Sequence, residues 1–147
     1  MTLIVADASV VMKWLLRSSD DQADSDRALS LWSRVGNGTF DLLQPPHWLA
    51  EVAAVLVQLS PATACDDVAS LYAMQLPVLD TPEVYLRACE LAGALRQHVF
   101  DTLYHAVALL TPDATLVTAD ERYYRKAAAY GSIELLARFG PAEEVED

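Results

Sequence analysis

The sequence predicts an α/β protein, a three-layer α/β/α sandwich around a central parallel sheet of about five strands. Three observations carry this expectation. Short apolar segments alternate with longer segments of helical periodicity along the chain. The apolar segments show little polar alternation, as strands covered on both faces do. Four acidic residues, Asp7, Glu51, Asp101 and Asp120, fall at or near the ends of such segments. Open parallel sheets bind ligands beyond the carboxyl ends of their strands.

Residues 2–6 read as a short buried strand, and 9–16 as a helix with Val10, Val11, Trp14 and Leu15 on one stripe. A second helix is predicted over 24–35, ended by Gly36-Asn37-Gly38, and a second strand from Phe40 to Leu43, closed by Pro45-Pro46. Residues 47–59 form a strongly apolar helix. Ser60-Pro61 reads as the start of another that runs to about Met74, with Ser as cap and Pro in the first turn. Leu76 to Leu79 is the third predicted strand, and 82–97 a helix opened by Asp80-Thr81-Pro82-Glu83. Val99-Phe100 is too short to assign. Residues 101–110 are helical, 114–117 a fourth strand, 121–129 a helix and 133–136 a weak fifth strand. The boundaries give a single domain over 1–139 and an acidic C-terminal tail over 140–147.

With 147 residues, 53% of them apolar, the chain is long enough for one domain with a real core. No apolar run approaches the ~20 residues that span a bilayer, and the N-terminus lacks a basic region ahead of its apolar stretch. Cys65 and Cys89 form no CxxC pair and read as buried thiols. These features together point to a reducing cytoplasm.

The formal net charge of −11 argues at first against a nucleic-acid partner, whose phosphates attract Lys and Arg. Its distribution softens that argument. SSDDQADSD at 18–26 and PAEEVED at 141–147 hold four acids each and no base, and they read as solvated segments. Inside an acidic cleft, a bound cation can still reverse the local potential.

Taken singly, Asp7, Asp101 and Asp120 fit ordinary helix caps. Glu51, in AEVAAVLVQL, is harder to place that way, because an unpaired Glu among apolar neighbours is rare. Jointly, four carboxylates on one sheet edge repel one another unless a cation neutralises them. Oxygen-only ligands select hard ions, Mg²⁺ or Mn²⁺. Ser9 and Thr118 each stand two residues from an acid, in DAS and TAD, where a hydroxyl can orient a metal-binding carboxylate. His105, four residues after Asp101, and His47 and His98 read as packed or surface side chains. Trp14, Trp32 and Trp48 read as core, with Trp14 or Trp32 alternatively lining a partner groove.

VADASVVMKWLL, PPHWLAEVAAVL, VFDTLYHAVAL and LVTADERYYRKA, in this order, closely resemble the PIN-domain ribonucleases, and among them the VapC toxins of type II toxin–antitoxin modules. The resemblance covers Leu3 to about Leu136. It implies an acidic site in which Asp7, Glu51, Asp101 and Asp120 are both metal-holding and catalytic, with Mg²⁺ or Mn²⁺ as cofactor and Ser9 and Thr118 in support. It further implies hydrolysis of RNA to 5′-phosphate and 3′-hydroxyl ends, a homodimer, and a small antitoxin with a segment that occupies the acidic groove. Lys13, Arg17, Arg96, Arg122, Arg125 and Lys126 are the candidate RNA contacts. The stretch QLSPATACDD departs from the family, which often carries basic residues there.

Two other classes compete. Haloacid-dehalogenase-like phosphatases need an Asp where Ser9 stands, and receiver domains need an acidic pair after the first strand that this chain lacks. A PIN-like binding module without catalysis, its groove filled by a basic peptide, is the alternative kept open.

Overall fold

The computed structural model describes residues 2–16 and 22–139. Arg17, residues 18–21 of the first acidic stretch and the tail 140–147 lie outside the described residues. Four strands form one parallel sheet: β1 (Thr2–Ala6), β2 (Phe40–Leu42), β3 (Ala114–Thr118) and β4 (Ile133–Leu135), in the order β2-β1-β3-β4. Between them run α1 (Ala8–Leu15), α2 (Gln22–Gly36), α3 (Trp48–Leu59), α4 (Ala64–Ala73), α5 (Pro82–Leu95), α6 (Val99–Leu110) and α7 (Glu121–Ala127). The predicted α/β sandwich is the observed fold, with one strand fewer.

The missing strand has a physical cause. Residues 76–79 make a single parallel bridge, Gln44 to Val78, in which Gln44 N–H donates to Pro77 O and Leu79 N–H donates to Gln44 O, both at 3.0 Å. Extending that ladder either way needs an N–H from Pro77 or from Pro46, and proline has none. The pairing therefore stops at one rung.

The two central strands, β1 and β3, are buried along most of their length because their apolar side chains are covered by helices. Ile4, Val5, Ala6, Leu116 and Val117 are fully buried, and α6 packs on both β1 and β3. Trp14 and Trp32 face each other at 4.9 Å between α1 and α2, and the Trp14 indole N–H donates to Ala28 O at 2.8 Å. Trp48 is core.

Three boundaries differ from expectation. Ser60 closes α3 rather than opening the next helix, since residues 61–63 form a turn and Thr63 stands at the start of α4. Val99-Phe100 belongs to α6, which starts there because the His98 imidazole Nδ1 accepts from Phe100 N–H at 3.0 Å. Asp101 thus lies inside the first turn and does not open the helix. The two cysteines, expected to be buried, are exposed and unpaired, in α4 and α5.

The chain runs from β1 outward to β2 and then returns to the far side of β1 for β3. The direction of strand order reverses at the β1–β3 pair. The crevice at its carboxyl end is the site such sheets offer to ligands.

Candidate active site

Asp7 and Asp120 stand at this reversal, one immediately after β1 and one two residues after β3. Both are helix N-caps: Asp7 accepts from Val10 N–H at 3.3 Å, and Asp120 accepts from Tyr123 N–H at 3.0 Å. Capping uses one carboxylate oxygen and leaves the other open to a ligand. Ser9 ties the two turns together. Its hydroxyl donates to Asp7 Oδ1 and accepts from Ala119 N–H at 3.0 Å. Thr118, fully buried, accepts from Asp120 N–H at 3.0 Å and also hydrogen-bonds Asp7.

Glu51 and Asp101 arrive from α3 and α6. Tyr104 O–H donates to Glu51 Oε1 at 3.4 Å, across 53 residues of sequence. His47 Nε2 lies 3.4 Å from Glu51 Oε2 and 2.7 Å from Phe100 O. The shorter contact requires Nε2 to carry the proton and aims it at the carbonyl, so Glu51 Oε2 stays buried without a hydrogen bond. Asp101 Oδ2 accepts from Gln97 Nε2 at 2.7 Å, and Gln97 Oε1 in turn accepts from Lys126 Nζ at 3.0 Å.

The electrostatics place the four carboxylates in one neighbourhood. Burial pushes the Asp7 carboxyl up to about 6; the Asp120 charge adds to the rise, and hydrogen bonds from Ser9, Thr118 and Val10 oppose it. Burial raises the Tyr104 hydroxyl, and the charges of Glu51, Asp7 and Asp101 raise it further. Tyr123 rises by burial and by Asp101 and Asp7.

The PIN domain family model matches residues 4–129. The chain belongs to the PIN domain family. Its fold is similar to a chain in the crystal structure of VapBC2 from Rickettsia felis bound to a DNA fragment from their promoter, with a TM-score of 0.64 and 13% identity over 91% of this chain and 98% of that one. No curated protein matches the sequence.

The donor set of this PIN domain fits a hard divalent cation in its chemistry. The candidate donors are all carboxylate oxygens, one of them a buried orphan at Glu51, and one carboxyl at Asp7 is held in a place that disfavours its charge. The positions are not those of a closed coordination shell: among the described residues, no three His, Cys, Asp or Glu side chains stand where they hold a metal. Asp101 is turned to Gln97 and Glu51 to Tyr104 instead.

Of the predicted basic contacts, Arg96, Arg122 and Lys126 line one pocket with Asp120, and Lys13 lines another with Ser9 and Asp120. Arg125 lies apart and pairs with Glu121 at 3.9 Å. His105 is fully buried, with Nδ1 accepting from Tyr123 O–H at 3.0 Å and Nε2–H donating to Gly131 O at 2.8 Å. Its burial lowers its pKa, which fits a neutral, packed imidazole.

Four residues around the site escape sequence reading. Gln97 and His47 each stand four residues before a site acid, a helical spacing that was available as a signal. Tyr104 meets Glu51 only through the tertiary fold. Gln44 is fully buried, and its side-chain amide exchanges two hydrogen bonds with the Ala6 backbone, at 2.9 and 2.8 Å. It thereby fixes the residue that precedes Asp7.

Proposed function

We propose that this PIN-domain chain is a metal-dependent endoribonuclease, the toxin of a type II toxin–antitoxin pair. The observation that carries the reading is the gathering of Asp7, Glu51, Asp101 and Asp120, from four separate elements, around the carboxyl end of the β1–β3 pair. These carboxylates would hold Mg²⁺ or Mn²⁺, which when bound would supply water activation and charge stabilisation at the phosphoryl oxygens. Asp7 and Asp101 are the principal ligands in this reading, with Glu51 and Asp120 completing the shell. Ser9 and Thr118 fix the Asp7 carboxylate through their hydroxyls. Tyr104 holds Glu51, and Gln97 must release Asp101 for it to turn inward.

A toxin needs a partner that restrains it. The VapBC2 structure is of a toxin–antitoxin complex by its name, and the similarity of fold supports a small antitoxin partner here. An apolar groove of about 560 Å³ between α3 and α4, lined by Leu49, Val57, Val68 and Tyr72 among others, supports a protein contact, the antitoxin or a second copy in a homodimer. No helix among the described residues is long and apolar enough to cross a membrane, which agrees with the cytoplasmic setting this function needs.

The test is cleavage of RNA by purified protein in Mg²⁺, in Mn²⁺ and in EDTA. The expected outcome is cleavage with either metal, none in EDTA, and a loss of ~100-fold or more in Asp7→Asn, since loss of even an outer partner of a metal ligand costs 10–100-fold. Cleavage by Asp7→Asn at the parent rate would remove the site assignment. The second reading is a silent module whose groove holds a basic peptide. Mn²⁺ binding without cleavage of any RNA would select it.

A further inference from the structure

The chain has ten basic residues against twenty-one acidic ones, so an unneutralised cation is scarce. Arg27, Arg87 and Arg125 pair with Asp24, Glu90 and Glu121. Arg34 and Arg138 lie over the rings of Phe40 and Tyr124. Among the described residues, Lys13, Arg96, Arg122 and Lys126 have no carboxylate within ion-pair distance. Three of these four line the same pocket.

That pocket, of about 320 Å³, lies between the end of α5 and α7, and its walls also include Gln97, His98, Asp120 and Tyr123. Two features mark it as more than a chance meeting of surface charges. Arg96 ends α5 in the left-handed conformation, φ 51° and ψ 52°, at a position where Gly or Asn is the usual residue. Gln75, Asp113 and Ser132 share a positive φ, so what sets Arg96 apart is its place on the wall of this pocket beside Arg122 and Lys126. Lys126 Nζ, meanwhile, is held only by neutral acceptors, Gln97 Oε1 at 3.0 Å and Arg96 O at 3.5 Å. Neutral acceptors satisfy its geometry but not its charge, and an anion would be the stronger partner. Asp120 joins this pocket to the carboxylate cluster, because its charge is felt at Asp7.

We propose that Arg96, Arg122 and Lys126 form a subsite for a backbone phosphate of single-stranded RNA, next to the phosphate being hydrolysed. This rests on the nuclease reading above. The subsite is coupled to the metal-holding carboxylates by the chain Lys126–Gln97–Asp101: a phosphate that draws Lys126 away releases Gln97, the present partner of Asp101.

A double-mutant cycle tests the shared subsite. Binding of a short fluorescein-labelled single-stranded RNA is measured by anisotropy in Mg²⁺, with every variant built on Asp7→Asn to suppress cleavage. Arg122→Ala and Lys126→Met should each weaken binding roughly tenfold, as lost contacts to a charged group do. Combined, they should fall well short of the hundredfold product, because both act on one phosphate. Arg125→Ala should bind like its parent. Additive losses, or single losses no larger than that of Arg125→Ala, would overturn the subsite. Cleavage by the parent chain alongside additive losses removes only this subsite; no binding and no cleavage removes the nuclease reading and the subsite together.

Discussion

Asp7 shows how one side chain serves fold and chemistry at a cost to stability. Its carboxyl titrates near 6 in the folded chain against 3.8 in an open one. Between those values the folded state holds the proton more tightly, so this residue's unfavourable contribution grows as pH rises from about 4 to 6 and is complete above 6. Asp7→Asn removes it. In EDTA, the variant should therefore melt above the parent at pH 7, with the gap closing by pH 4, as thermal scans of both chains would read. His105 moves the other way, since a buried imidazole resists protonation and its contribution is lost as pH falls below its open-chain value. It is common to both chains and cancels in the comparison. Replacing it tests the packed reading. His105→Leu strands Gly131 O and the Tyr123 hydroxyl at a cost of about 1–3 kcal/mol, read from urea midpoints, while RNA cleavage at low temperature persists.

At the scale of elements, β1 is held at its tip by a side chain standing in for a strand. β2 pairs with β1 only as far as Leu42. Gln44 then supplies from its amide the donor and acceptor that a further strand residue would give to Ala6. Gln44→Ala should leave two buried backbone groups unpaired, costing about 1–3 kcal/mol for each. It should also lower cleavage by loosening the turn that carries Asp7, as kinetics on the folded fraction would reveal. Such roles mark the limit of what the sequence makes legible. Asp7, Ser9, Thr118 and Asp120 are local to strand ends, where apolar runs meet caps, and their placement follows from periodicity. Glu51 stood out as a charge in an apolar helix. Gln44 and Tyr104 act across the fold, and nothing in their neighbours' spacing announces a partner 38 or 53 residues away. The expected strand at 76–79 failed for a related reason. Its composition suits a strand, but two prolines on facing segments deny it a ladder, and only the register exposes that.

For the whole molecule, an excess of eleven negative charges and a cluster of carboxylates make cation binding a term in stability. A ligand bound only by the folded state adds about 2.7 kcal/mol at one hundred times its dissociation constant, which for a chain of this size is ~5–10 °C in melting temperature. Mn²⁺ should raise the melting temperature of the parent in this way and that of Asp7→Asn much less; equal shifts would place the ion elsewhere. The proline-stopped bridge matters at this scale too. A sheet with an open rim invites another chain to add a strand and start a polymer. Here the rims are β2 and β4, each three residues long, and the pairing beyond β2 stops at a single rung flanked by prolines. Short rims of this kind leave little length along which further copies of the chain could add strands into a fibre.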